Sequence, residues 1–290
     1  MAEPIVKINI AFLLVKHLEG KNEKMPYVTS NDGKKVWYDV VGKGDSLVLI
    51  GGSSLVHRQW DFMLPILQDH FKVILHDQRG GGLSDRTPGG ITVEQWVDDL
   101  KLILDEIGII KTHIFGTSNG SFIVIRFAAK YPERTCAIVH YGMYKMKDQA
   151  GKMARIGYKI IDEFGTGRMG CYFLVRLYGI PSEYEQWEVK RFEENISADS
   201  WKAMHEALKI DLAEDLQKIR SPQLLLVGDS GPLSKDSDYG SGWKDVQHLY
   251  PNVEVAIIKN AEGTYCVVTH PAEVARAVID FLNRHRISRG

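Results

Sequence analysis

The chain has 290 residues, of which 44% are hydrophobic, so it is long enough to bury one large core and to carry an inserted subdomain. Its 36 Lys and Arg nearly balance 37 Asp and Glu, and the net charge of −1 gives no electrostatic reason to expect nucleic acid or an acidic membrane surface as a partner. Cys136, Cys171 and Cys266 show no metal-ligand spacing, and a sparse, odd set of cysteines is typical of a reducing compartment. We therefore expect a cytoplasmic protein without a metal.

Residues 1–24 are predicted to be an appendage to the main domain. Residues 8–15 (INIAFLLV) are apolar but too few to span a bilayer, and no small-residue cleavage site follows them. An extra helix or strand that packs on the domain or on a partner is the preferred interpretation, so a homodimer is possible.

From Pro26 onwards, short apolar strands alternate with helical stretches. A hairpin is predicted around the turn Asn31-Asp32-Gly33. Further strands are predicted at 46–50, 71–75, 112–115 and 137–140, with helices at 60–67, 93–107 and 121–130. This alternation predicts an α/β fold with a mainly parallel, doubly wound sheet.

The alternation stops after the strand at 137–140. Helices alone are predicted between 143 and 220, at 152–164, 169–178, 184–195 and 200–208. Strands return at 223–227 and 253–258, and a last helix is predicted at 271–285. We therefore predict a core formed by residues 25–142 and 221–290, with residues 143–220 as a helical cap over a site.

Gly116-Thr117-Ser118-Asn119-Gly120 matches G-x-S-x-G and lies between a predicted strand and a predicted helix, which is the context this nucleophile elbow requires. A serine there sits in a sharp, strained turn that lifts its hydroxyl clear of the sheet and directs the next amide, that of Asn119, into the site. The sequence thus indicates Ser118 as the reactive serine and Asn119 as one oxyanion-hole donor.

The second donor of an oxyanion hole is expected after the strand at 46–50. The chain there reads Gly51-Gly52-Ser53-Ser54, and small residues let a backbone N–H approach a substrate oxygen. The amide of Ser53 is the best candidate.

From about residue 25 to 286 the chain resembles the α/β-hydrolase superfamily, in its small capped branch. The resemblance rests on four motifs, which are Gly51-Gly52, the turn at 77–84 (DQRGGGLS), the elbow, and His270-Pro271 before the last helix. It implies an enzyme without a cofactor that acts on a small molecule, and members usually hydrolyse esters, lactones, thioesters or carbon–carbon bonds.

The acid and the histidine of the family's triad are missing at their usual positions. The acid position falls on Gly231, and Asp229, Asp236 and Asp238 nearby are more typical of solvated loop carboxylates. The histidine position falls on Thr264, or on Tyr265 with a one-residue slip, while His270 belongs to the start of the last helix. The resemblance therefore implies a degenerate triad.

A serine hydroxyl is a weak nucleophile unless a base takes its proton. Threonine cannot serve as that base, and tyrosine would need a strongly shifted pKa. Three histidines could substitute, namely His57 beside the oxyanion loop, His140 at the end of a strand, and His76 before the turn at 77–84. Glu262 is a further candidate, whereas nothing in the sequence suggests a depressed pKa for Cys266.

Three functions remain open. The first is non-hydrolytic chemistry of the lyase, cyclase, decarboxylase or isomerase type on a small apolar substrate, in which the oxyanion hole stabilises a developing enolate or alkoxide. The second is an ester, lactone or thioester hydrolase with a relocated base. The third is a ligand-binding protein that no longer catalyses. Because both the elbow and the Gly-Gly-Ser-Ser loop are present, we expect an enzyme, and the first function is preferred.

Overall fold

The described residues form one sheet of eight strands in the order β1-β2-β4-β3-β5-β6-β7-β8. The computed structural model describes residues 26–52, 56–87, 90–141, 149–177, 180–207, 210–230, 252–262 and 265–287, without the side chains of 149–154, 205 and 262. The strands are β1 Tyr27–Thr29, β2 Lys35–Val41, β3 Asp45–Ile50, β4 Phe71–His76, β5 Thr112–Thr117, β6 Thr135–Tyr141, β7 Gln223–Ser230 and β8 Val253–Glu262.

The direction of the strands confirms the predicted α/β class. β1 and β2 form the antiparallel hairpin, and β2 is also antiparallel to β4. All the remaining neighbours, from β4 through β3 to β8, are parallel. Because the carboxyl ends of parallel strands meet at one edge, the residues that follow β3, β4 and β5 converge there.

Helices cover both faces of this sheet. They are α1 Leu64–Leu67, α2 Val93–Glu106, α3 Gly120–Lys130, α4 Gln149–Phe164, α5 Arg168–Leu177, α6 Ser182–Asn195, α7 Ala198–Ala207, α8 Ala213–Lys218, α9 Cys266–Thr269 and α10 Pro271–Asn283. On one face, Trp96 and Leu100 of α2 join the core, and on the other Val274 and Phe281 of α10 do so. This two-sided burial explains why the central strands read as continuous apolar runs.

The segment after β3 differs from its prediction. One helix was predicted over 60–67, but a short 3-10 helix, His57–Trp60, is followed by the separate helix α1. Pro65 is the reason, because proline lacks an N–H and is tolerated only in the first turn of a helix. The break leaves Asp61, Phe62 and Met63 as turn residues beside the edge where the site lies.

The turn that follows β4 is anchored by the buried side chain of Arg79. Its Nε donates to Asp99 Oδ2 (2.6 Å), and its Nη1 donates to Asp32 Oδ2 (2.7 Å) in the first hairpin. Its carbonyl oxygen accepts from the indole of Trp96 (3.1 Å). A charge that is buried and paired in this way holds the backbone of the turn, and with it Asp77, in one position.

Between β6 and β7 the described residues contain α4 to α8, here called the helical insertion, of which α8 was not predicted. The insertion meets the core where the ring of Phe62 packs edge-to-face on Trp187 (5.2 Å) and Tyr184 (5.8 Å) of α6. Its boundaries as a separate cap remain a prediction, and residues 1–24 lie outside the described part. In that part, every helix is too short or too polar to cross a membrane.

Candidate active site

Ser118 occupies a sharp turn between β5 and α3. Its φ of +50° lies in the left-handed region, which is uncommon for a residue with a side chain. β5 ends at Thr117 and α3 begins at Gly120, so the turn consists of Ser118 and Asn119. The hydroxyl therefore stands outside both regular elements, next to the positive end of the α3 dipole.

Gly116 and Gly120 allow the strand and the helix to approach each other around this serine. A Cβ on Gly116 would lie 2.5 Å from Cγ2 of Val124, and a Cβ on Gly120 would lie 2.6 Å from the carbonyl oxygen of Ile50. Both distances are far inside van der Waals contact. β3, β5 and α3 can thus converge at Ser118 only with glycine at both positions.

Gly120→Ala is therefore expected to cost about 1–3 kcal/mol of stability, since the new methyl meets backbone atoms that cannot rotate away. Urea unfolding followed by circular dichroism measures the change. Gly167→Ala is the matched control, because no heavy atom lies within 4 Å of its added Cβ, and it should stay within about 0.5 kcal/mol of wild type. Equal effects of the two substitutions would contradict the close approach described here.

The loop after β3 is tied to the elbow by Gln59. Its Oε1 accepts the N–H of Gly52 (2.5 Å), and its Nε2 donates to Oγ1 of Thr117 (2.9 Å). A Cβ on Gly52 would lie 2.9 Å from Cβ of Ser118, so this backbone passes directly beside the serine. Because the Gly52 amide is already used, an oxyanion donor from this loop has to come from a later residue. Ser53, the predicted donor, lies outside the described residues.

The amide of Asn119 remains a candidate oxyanion donor. Within the described part of the chain, its N–H donates to no acceptor, while its carbonyl accepts from Phe122 N (3.1 Å) inside the first turn of α3. A free N–H at the start of a helix is a suitable donor to an oxyanion.

His57 is paired with the buried carboxylate of Asp77. The backbone N–H of His57 lies 2.7 Å from Asp77 Oδ1, and its ring Nδ1 lies 2.8 Å from the same oxygen. Asp77 is fully buried and its other oxygen accepts from Leu83 N (2.9 Å). A carboxylate can only accept here, so Nδ1 carries the proton and Nε2 is left as the basic nitrogen. The ring also packs on Trp37 at 4.4 Å.

The other two candidate histidines are enclosed in the core. His140 is fully buried on β6, where burial lowers its pKa to about 3 against a partial upward effect of Gln223. It shares a sheet face with Ile138, two residues before it, on the side opposite to Tyr141. His76 is also buried, and burial lowers its pKa to about 4. Both rings are therefore neutral and weakly basic.

Tyr265 lies against the helical insertion. Its hydroxyl lies beside the carboxylate of Glu188 but forms no well-aligned hydrogen bond within the described residues. Burial, with a further contribution from Glu188, raises the pKa of the Tyr265 phenol above its usual value. The phenol therefore stays protonated and can donate a hydrogen bond, but it cannot serve as a base. Thr264 and the side chain of Glu262 lie outside the described part.

A buried ion pair stands beside this phenol. Nε of Arg191 donates to Oε2 of Glu188 (2.6 Å), Nη2 contacts Oε1, and both side chains are almost fully buried. The charge of Arg191 also acts on Asp61, whose pKa is raised mainly by burial and is lowered in part by Arg58 and His57. Asp61 is thus within electrostatic range of both His57 and Arg191.

Near the family's acid position, Asp229 is exposed and accepts the N–H of Asn260 (2.5 Å). It is an exposed carboxylate near the end of β7 and not the loop residue that was expected, while Gly231, Asp236 and Asp238 lie outside the described residues. Cys266 is buried, and burial raises the pKa of its thiol, which disfavours a thiolate nucleophile. No cluster of three or more potential metal ligands occurs within the described ranges.

Comparison with known proteins decides the family. The family model described as "alpha/beta hydrolase fold" matches residues 45–262, more than half of the chain. This chain belongs to the α/β-hydrolase superfamily. It belongs to a superfamily of enzymes that work without a cofactor, as the motifs implied.

Named relatives of this α/β-hydrolase include enzymes with several activities. It is 32% identical over 111 residues to a bifunctional esterase/perhydrolase of Acinetobacter calcoaceticus, a match that covers 37% of this chain and 40% of the relative. It is 31% identical over 108 residues to a non-heme haloperoxidase of Rhodococcus erythropolis, covering 37% and 39%. The matches thus span about two fifths of the length of these relatives.

Solved structures extend the likeness in fold to nearly the whole α/β-hydrolase. A thermophilic esterase from Thermogutta terrifontis superposes with a TM-score of 0.72, covering 91% of this chain and all of that one. At 22% identity this likeness concerns the fold alone.

Sequence reasoning named Ser118, Asn119 and His57 as candidate site residues of this α/β-hydrolase but missed the contacts of three further residues. Asp77 was assigned to a family turn and not to His57, and neither Gln59 nor Arg191 was singled out. No local pattern marks Asp77 or Gln59, because each acts on a partner in another element. Arg191 and Glu188 are three residues apart on α6, and such a spacing is typical of an ordinary surface ion pair. These residues could have been indicated only by the general argument that a buried polar or charged side chain needs a hydrogen-bond or ion-pair partner.

Proposed function

We propose that this α/β-hydrolase is an acyl hydrolase for esters, lactones or thioesters, with Ser118 as nucleophile and His57 as the relocated base. The observation that carries the proposal is the hydrogen bond between Nδ1 of His57 and the fully buried Asp77 at 2.8 Å. A carboxylate in that position orients the ring, fixes its tautomer and stabilises the imidazolium that forms when Nε2 takes a proton. The esterase among the relatives supports this function over the non-hydrolytic one.

The proposed reaction has two balanced halves. Oγ of Ser118 attacks the acyl carbon while Nε2 of His57 takes the hydroxyl proton, and the carbonyl oxygen becomes an oxyanion held by the Asn119 amide. The tetrahedral intermediate then collapses, the bond to the alkoxide or thiolate breaks, and His57 returns the proton to that leaving group. Water then attacks the acyl-serine while Nε2 of His57 takes one of its protons. The bond to Oγ breaks, His57 returns the proton to Ser118, and the acid is released.

The position of His57 relative to Ser118 is supported by contacts between their loops. A Cβ on Gly51 would lie 2.8 Å from the carbonyl oxygen of Val56, so the residue before His57 folds back on the start of the loop. The backbone of Gly52 in turn passes beside Ser118, as described above. Within the described residues the Ser118 hydroxyl has no hydrogen-bond partner, and catalytic hydrogen bonds often tighten only when substrate is bound.

The same unpartnered hydroxyl favours a second candidate function. With no base within hydrogen-bond reach in the described part of the chain, Ser118 could hold a substrate oxygen without attacking it. The Asn119 amide would then stabilise an enolate or alkoxide in a lyase- or isomerase-type reaction on a small apolar substrate.

A fluorophosphonate probe distinguishes the two functions, because it phosphonylates only an activated serine. We expect wild type to be labelled, with intact-mass spectrometry showing one adduct, and Ser118→Ala to remain unlabelled. Ser182→Ala, which changes an exposed serine at the start of α6, is the control and should label like wild type. Folded wild-type protein that stays unlabelled would overturn the hydrolase proposal and favour the second function.

A further inference from the structure

One buried glutamine spans the gap between the two backbones that meet at Ser118. Gln59 lies in the short 3-10 helix His57–Trp60 and is only 6% exposed. Its Oε1 accepts the N–H of Gly52 (2.5 Å), and its Nε2 donates to Oγ1 of Thr117 (2.9 Å). Thr117 immediately precedes Ser118, so a single side chain joins the loop after β3 to the elbow.

This bridge begins where the strand pairing ends. The last paired residues of β3 and β5 are Ile50 and Gly116. Between the two residues that follow Ile50 and the two that follow Gly116, no backbone hydrogen bond occurs in the described part of the chain. The side chain of Gln59 therefore provides the hydrogen bonds that connect these segments beyond the sheet.

The orientation of the Gln59 amide follows from its partners. A backbone N–H can only donate, so the amide oxygen faces Gly52 and the amide nitrogen faces Thr117. Cβ atoms added to Gly51 and Gly52 would lie 3.3 and 3.4 Å from this oxygen, so the two glycines leave room for it. A hydrocarbon side chain of the same length would leave the Gly52 N–H without its acceptor.

The backbone that Gln59 holds is in close contact with the serine. A Cβ on Gly52 would lie 2.9 Å from Cβ of Ser118 and 3.2 Å from the carbonyl oxygen of Thr117. Ser118 is at φ +50°, and such a strained conformation persists only where its surroundings maintain it. A misplacement of about 1 Å can slow a reaction about 100-fold. Small movements of the Gly52 backbone would therefore alter the reactivity of Ser118.

We propose that Gln59 is a positioning residue, which holds the backbone of Gly52 against Thr117 and so keeps Ser118 in its reactive position. It acts through the two backbones and does not touch the substrate. The inference rests on the proposed function in one respect, since it takes Ser118 as the reacting group.

Gln59→Met tests the bridge, because methionine is of similar length and forms neither hydrogen bond. The rate constant of fluorophosphonate labelling describes each folded molecule, whereas the final extent of labelling counts the folded molecules. We expect the rate constant to fall about 10- to 100-fold while the final extent stays that of wild type. With p-nitrophenyl acetate as substrate, kcat should fall and KM should be unchanged.

Gln223→Met is the matched control, because it makes the same change at a buried glutamine at the start of β7, the opposite edge of the sheet. It should label at the wild-type rate. Thr117→Val removes the acceptor of the bridge and should slow labelling, whereas Thr117→Ser keeps the hydroxyl and should restore it. Gln59→Met combined with Thr117→Val should be no slower than Gln59→Met alone, since both substitutions break one bridge.

Hydrogen exchange of the Gly52 amide, followed by NMR, tests the same bridge without an activated serine. This amide should exchange at least about 5-fold faster in Gln59→Met, as the loss of one neutral hydrogen bond predicts. It should also exchange faster in Thr117→Val, although that substitution leaves the acceptor of Gly52 in place.

The two measurements separate the two proposals. Labelled wild type together with a Gln59→Met rate constant equal to that of Gln223→Met would overturn the positioning role alone. Unlabelled wild type together with faster Gly52 exchange in both variants would overturn the hydrolase proposal alone, and the bridge would then position Ser118 for the second function. Unchanged Gly52 exchange in Gln59→Met would overturn the bridge in either case.

Discussion

His57→Gln is expected to slow fluorophosphonate labelling of Ser118 by about 100- to 10,000-fold, the usual contribution of a general base. The substitution removes the basic Nε2 but keeps the backbone N–H that donates to Asp77 at 2.7 Å. Glutamine also offers a side-chain donor for the buried carboxylate, so the fold should be retained. The second-order rate constant of labelling, measured beside a thermal melt, separates loss of the base from loss of structure.

The comparison for this variant is His70→Gln, which makes the same chemical change at an exposed position after α1. It should label at the wild-type rate. If His57→Gln also labels at that rate, the base lies elsewhere, and Glu262 becomes the next candidate. A variant that labels slowly because it is unfolded is recognised by its melt, and His57→Asn then provides a second test.

Acidification should destabilise the protein steeply between about pH 6.5 and pH 4. Burial lowers the pKa of His76 and His113 from 6.5 to about 4 and that of His140 to about 3. Above pH 6.5 these rings are neutral in both the folded and the unfolded state, so their burial does not lower the free energy of unfolding. As the pH falls below 6.5, these histidines become protonated in the unfolded chain but stay neutral in the folded chain. Stability is therefore lost until the pH reaches their folded-state pKa values.

The expected slope is large because three groups act together. Each contributes up to about 1.4 kcal/mol per pH unit, so their sum approaches about 4 kcal/mol per pH unit against a total stability of about 5–15 kcal/mol. Urea unfolding at several pH values measures it. His113→Gln should remove about a third of the slope, whereas the exposed His70→Gln should leave it unchanged. A stability that stays flat from pH 7 to 4.5 would contradict the burial of neutral histidines.

Much of the fold was predictable because its signals are local. The apolar run ending in Gly51-Gly52 and the G-x-S-x-G motif each place a strand end and a turn without knowledge of any partner. The helix at Val93–Glu106 was predicted within one residue from its apolar periodicity, and in the structure Thr92 and Gln95 form a capping box at its start. Where the prediction failed, at the helix over 60–67, a single proline outweighed the apolar periodicity.

The site was less predictable because its chemistry depends on contacts between distant elements. His57 and Asp77 are 20 residues apart, and only the parallel pairing of β3 with β4 brings their loops together. In the sequence, Glu188 and Arg191 are typical of the surface charges of a polar helix. In the structure, both side chains of α6 are buried beside Tyr265. The spacing of apolar residues shows which face of a helix is apolar. It does not show which charged side chains a neighbouring element will bury.

The backbone conformation of Ser118 also indicates why a serine and not a glycine occupies this position. At φ +50° a residue with a Cβ costs about 1–2 kcal/mol relative to its relaxed conformation, whereas glycine adopts this angle freely. A chain shaped by stability alone would favour glycine at the elbow. Serine at this position lowers the stability of the fold by a measurable amount and provides one hydroxyl. Such a cost is expected of a residue that is kept for its reactivity.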